Sequence, residues 1–109
     1  MGTERYLKST EIVRRLNRVI ARSALSTRFV SLFYGDLEAN GNLFYVNAGH
    51  PAPWIMADRG MIRLEVGGTI LGPVEAQRFR RGWAQMARGD TMAIVTDGLL
   101  ERTDRRGEE

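Results

Sequence analysis

Between residues 12 and 20 the apolar side chains Ile12, Val13, Leu16, Val19 and Ile20 fall one to four positions apart and share one face of a helix. Ser9 or Thr10 offers an N-cap and Glu11 places a negative charge in the first turn, so the spacing predicts a helix over residues 9–22. Its apolar stripe is expected to lie on a sheet. Arg14, Arg15, Arg18 and Arg22 lie mostly off that stripe and read as a solvated face rather than an anion site.

After residue 28 the period changes to that of strands. Residues 29–37 (FVSLFYGDL) place Phe29, Ser31, Phe33, Gly35 and Leu37 on one side and Val30, Leu32, Tyr34 and Asp36 on the other. Both sides are largely apolar, which predicts a central strand covered on both faces. Asn40-Gly41 signals a tight turn into a partner strand over 42–48. The Gly49-His50-Pro51-Ala52-Pro53 stretch breaks the sheet. A second, shorter hairpin follows, with strands at 54–57 and 61–65 around Asp58-Arg59-Gly60. Residues 67–73 read as a glycine-rich loop without the Lys-Ser/Thr of a P-loop. Residues 77–86 read as a strand anchored by Phe79 and Trp83, and Arg88-Gly89-Asp90 as a hairpin turn rather than an integrin signal. The run Met92-Ala93-Ile94-Val95 predicts a last strand buried on both faces. The tally is an α+β fold: one helix, then five or six short strands of antiparallel type.

Composition narrows the possible chemistry. The chain has 109 residues, enough for one modest domain. It has no cysteine, which removes disulfides, thiol nucleophiles and thiolate metal sites and suits a reducing, cytoplasmic compartment. No apolar run approaches a membrane span, and the first residues carry no signal-peptide core. The net charge of +3 comes from scattered arginines without an interleaved aromatic patch, so neither nucleic acid nor membrane is expected as a partner.

The sharpest chemical feature is Thr96-Asp97-Gly98 at the end of the last apolar run. A carboxylate at the rim of a core suits a hard divalent cation, and Gly98 lets the backbone turn close to it. Taken alone, Asp-Gly is a turn. Other landmarks accompany it in order: Arg28-Phe29-Val30-Ser31-Leu32-Phe33-Tyr34-Gly35, Tyr45-Val46-Asn47-Ala48-Gly49-His50-Pro51, Leu71-Gly72, Arg88-Gly89-Asp90, and Thr96-Asp97-Gly98-Leu99-Leu100-Glu101. This series resembles the metal-dependent PPM-type serine/threonine phosphatases, in the bacterial branch typified by the sporulation stage II protein E and the stress-response regulatory phosphatases.

The resemblance implies part of a layered α-β-β-α sandwich, with an N-terminal helix on one face of mostly antiparallel sheets. It implies two Mn2+ or Mg2+ ions sharing an activated water, hydrolysis of phosphoserine or phosphothreonine, and a phosphorylated STAS-type anti-anti-sigma factor as substrate. Asp97 takes the metal-ligand position of Thr-Asp-Gly. The family's first metal-binding segment, an Asp-Gly run with a following Gly-His-Gly, and a later acidic ligand have no counterpart here. Residues 4–109 therefore read as the central portion of such a domain, with little or no activity expected of the chain alone.

Other candidates carry two readings each. His50, the one histidine, either holds its loop together with Asn47 or reacts at the loop tip near the cleft. Glu101 either orients the metal site or is a plain exposed acid. Asp36 reads as structural or solvated, Asp58 and Asp90 as turn residues, and Trp54 and Trp83 as core. Arg78, Arg80, Arg81 and Arg88 read as a solvated strand face rather than a docking site for an acidic phosphoprotein. A non-catalytic interaction or dimerisation module on the same fold is the alternative function. An incomplete sandwich is expected to expose apolar faces and self-associate.

Overall fold

The strand Asn42–Ala48 has six successive buried residues, Leu43 to Ala48, and the other elements are arranged about it. The computed structural model describes residues 2–23 and 29–96, with side chains from Ser9 onward. In chain order the elements are α1 (Gly2–Arg22), β1 (Leu32–Leu37), β2 (Asn42–Ala48), β3 (Trp54–Ala57), β4 (Gly60–Arg63), β5 (Gly67–Gly68), β6 (Gly82–Gln85) and β7 (Thr91–Ala93). One sheet places β1 antiparallel on one edge of β2, with antiparallel β6 and parallel β5 sharing the other edge. A second sheet has the order β4-β3-β7.

Alternation along β2 builds two cores. Val46 and Ala48 join Val13 of α1, Leu71 and Phe79 in one buried cluster. Leu43 and Tyr45 join Ile55, Leu64 and Ala84 in the other. The described layers are thus helix, sheet and sheet, an α+β arrangement. A fully buried Ile or Leu contributes roughly 1.5–3 kcal/mol, so the pair Ile55 and Leu64, each 0% exposed, is a large part of what joins the two sheets.

The first hairpin forms as its sequence predicts. Gly41 has φ +96°, its amide donates to the Glu38 carbonyl (2.9 Å), and Leu37 pairs with Leu43. In the second, Ala57 pairs with Gly60 across Asp58-Arg59. The Arg88-Gly89-Asp90 turn is closed by the Asp90 carboxylate, which accepts from the Ala87 amide (2.8 Å).

Several expectations are corrected. The helix begins at Gly2 rather than Ser9. Its buried line is Ser9, Val13 and Asn17, with Ile20 partly covered, whereas Ile12, Leu16 and Val19 are 37%, 41% and 65% exposed. Asn17 can be buried because its amide is fully used. Its Nδ2 donates to the Val74 and Glu75 carbonyls (2.9 and 3.1 Å), and its Oδ1 accepts from the Gly72 amide (2.8 Å).

The strand expected to be central is an edge: β1 starts at Leu32 and pairs, among the described strands, with β2 alone. Residues 67–73 are not wholly loop, because Gly67 and Gly68 pair with Asn47 and Ala48. Trp83 is 59% exposed, since Gly82 and Ala84 take the inward positions opposite Tyr45 and Leu43. Trp54 is half-buried, with the Arg63 guanidinium 5.3 Å from its ring centre. The last apolar run is not buried on both faces. β7 ends at Ala93, pairs only with β3 among the described strands, and leaves Ile94 and Val95 at 54% and 47% exposure. Among the described residues, no helix is long and apolar enough to cross a membrane.

Candidate functional site

The connection from β2 to β3 is built on one buried amide. Asn47 sits near the end of β2 at 4% exposure. Its Nδ2 donates to the Leu64 carbonyl (3.0 Å) and its Oδ1 accepts from the His50 amide (2.9 Å). Its own amide donates to the Val66 carbonyl (2.9 Å). One side chain thus ties the loop at 49–53 to the segment entering β5. This matters locally because Pro51 and Pro53 supply no amide donors.

Glycine is required at two positions of this frame. Gly49 has φ +74°, and a Cβ there would come within 2.3 Å of Ile70 Cγ2. A Cβ on Gly67 would meet the Asn47 carbonyl oxygen at 1.9 Å. The backbones of β5 and β2 therefore approach as closely as they do only because Gly67 has no side chain.

His50 is half-buried, and its Nδ1 lies 2.7 Å from the Pro51 carbonyl. A carbonyl only accepts, so Nδ1 carries the hydrogen of that bond and Nε2 keeps its lone pair in the neutral ring. The expectation that Asn47 and His50 hydrogen-bond the loop is met. The same contact orients the imidazole within the loop.

Register brings the chain after β7 toward this loop. Trp54 pairs with Ala93 in antiparallel sense, so residues 94–96 run on past the start of β3, the end that the 49–53 connection enters. Asp97, Gly98 and Glu101 lie outside the described residues. Asp36 is half-buried on β1 opposite Phe44. Asp58 is an exposed turn residue, and Asp90 pairs with Arg59 at 3.4 Å. Among the described residues, no group of three or more His, Cys, Asp or Glu side chains is placed to hold a metal ion.

The residue that spacing alone overlooked is Asn17. It looks like a polar interruption in a helix, and nothing in its local sequence announces a partner 55 residues away.

Comparison with known proteins gives a consistent picture. Residues 3–109 match the family described as Stage II sporulation protein E (SpoIIE). The chain is similar to the phosphoserine phosphatase RsbU of Bacillus subtilis, 24% identical over 101 residues that cover 90% of this chain and 30% of that protein. It is also similar to Protein IcfG of Synechocystis sp., 32% identical over 75 residues that cover 67% of this chain and 12% of that protein. The chain therefore spans less than a third of the length of either relative. No solved structure matches it.

Proposed function

Because the chain belongs to the stage II sporulation protein E family, we propose that residues 4–109 are the central portion of a metal-dependent protein phosphatase domain. The domain acts on phosphoserine or phosphothreonine of a regulatory protein, with an anti-anti-sigma factor of the STAS type as the preferred class. The observation that supports this reading is the family match along residues 3–109, together with a relative named as a phosphoserine phosphatase.

The family's chemistry uses Mn2+ or Mg2+. The donor set of the described residues does not fit such a centre, since it contains no group of three or more candidate ligands. No catalytic step is therefore assigned to it. The part proposed for the described residues is to hold the 49–53 loop and to direct the last strand toward it. Asp97 is the proposed metal ligand, and its fellow ligands are proposed to come from sequence beyond this chain. His50, with Nε2 free of the Pro51 contact, is the residue of the loop proposed to face the substrate.

The test is a phosphatase assay of the full reading frame that encodes this sequence, with Mn2+ and a phosphoserine peptide. Asp97→Asn is expected to lower turnover by about a hundredfold or more, the scale of losing a charge-stabilising group. The 109-residue chain alone is expected to show little or none. Equal, measurable turnover in wild type and Asp97→Asn would remove Asp97 from the metal site. No turnover from the full reading frame would favour the second reading, a non-catalytic interaction module. The apolar residues left uncovered on α1 support that alternative.

A further inference from the structure

The sequence divides Arg14 and Arg18 from Arg78 into two solvated faces, but the fold brings them to one place. A cleft of about 520 Å³ lies between α1 and the segment 75–79, lined by Thr10, Arg14, Arg18, Glu75, Arg78 and Phe79 among others. Arg14 and Arg18 are one helical turn apart and so lie on the same side of α1. Asn17 clamps the chain at 72–75 against the helix, and Phe79, 8% exposed, is fixed in the buried cluster with Val13. Together these place Arg78, an exposed residue, on the wall of the cleft that faces α1.

The charge of this cleft is unbalanced. Glu75 is its one lining carboxylate, and it is already ion-paired with Arg22. Among the described residues, Arg14, Arg18 and Arg78 are in no salt bridge, whereas Arg15 has Glu11 at 2.6 Å and Arg59 has Asp90 at 3.4 Å. Like charges gathered in a concave site raise the local concentration of anions. Guanidinium groups match phosphate oxygens in a bidentate fork, which a lysine cannot do. The volume lies within the range of small-ligand sites.

We propose that this cleft binds a phosphoryl group, with Arg14, Arg18 and Arg78 as its donors. The group is carried either by a small phosphate ester or by a phosphorylated residue of a partner protein. The proposal does not rest on the phosphatase reading.

Binding of pyrophosphate and of a phosphoserine peptide to the 109-residue chain is measured by calorimetry in EDTA, which removes any metal-dependent contribution. Arg18→Ala and Arg78→Ala are each expected to weaken binding by about tenfold or more, the scale of a charge-assisted hydrogen bond. Arg88→Ala removes the same charge outside this cleft and is expected to leave affinity within about twofold, as distant sites act independently. Arg14→Lys keeps the charge without the fork and separates geometry from charge: a loss supports the bidentate assignment. Binding of only one probe identifies the source of the phosphoryl group and supports the proposal. Binding of neither at millimolar concentration, or equal weakening by Arg88→Ala and Arg18→Ala in proteins with unchanged circular dichroism, overturns it.

Discussion

Asn47, Gly49 and Gly67 show how single residues set the geometry of the loop after β2. Asn47 supplies both a donor and an acceptor where the prolines supply neither donor, and the glycines let neighbouring backbones touch. Substituting Gly67 by alanine forces Cβ into the Asn47 carbonyl, and the obstacle is backbone rather than a flexible side chain. Gly67→Ala is therefore expected to cost about 4–5 kcal/mol or more, the range that marks a broken core feature. Gly60 is a fair comparison: it has φ +131°, but a Cβ added there would meet nothing within 4 Å. Gly60→Ala is expected to cost only the backbone strain, roughly 1–3 kcal/mol. Urea unfolding of both variants checks the difference, and equal losses would contradict it.

At the scale of elements, the attachment of α1 depends on a polar contact as much as on apolar cover. Val13 is fully buried, yet the next residue on the same line is Asn17, with three hydrogen bonds to the 72–75 segment. Asn17→Ala leaves a buried amide and two carbonyls without this partner. It is expected to cost about 1–3 kcal/mol in urea unfolding and to loosen the phosphoryl cleft by freeing Arg78. A loss below about 0.5 kcal/mol, typical of an uninvolved surface site, would show the clamp to be dispensable.

Periodicity revealed the two hairpins, because Asn40-Gly41 and Asp58-Arg59-Gly60 act locally and the alternation around them is unambiguous. It misjudged β1 and β7, because an apolar run states that a strand is covered but not by which neighbour or on which edge. It missed β5 for a related reason: Gly67-Gly68 reads as loop until Asn47 and Ala48 are placed beside it. Of the candidate site, Asn47 and His50 were legible through the donor shortage around Pro51, whereas the arginine cleft depends on contacts between distant segments.

Across the molecule, α1 covers one face of the first sheet and the second sheet covers the other. Ile12, Leu16 and Val19 remain exposed along α1, and Met56 and Met61, paired across β3 and β4, are 39% and 59% exposed. Apolar surface on both outer layers is expected to drive self-association of the isolated chain. Light scattering is expected to give a mass above that of a monomer which rises with concentration, and Leu16→Glu with Val19→Glu to lower it. A clean monomer at high concentration would contradict this. The reading of the chain as the heart of a metal-dependent phosphatase is tested most directly by calorimetric titration with Mn2+. The full reading frame and its Asp97→Asn variant are compared. The account predicts that the substitution weakens Mn2+ binding by about tenfold or more, as loss of a carboxylate ligand requires. Indistinguishable titrations of the two proteins would contradict it.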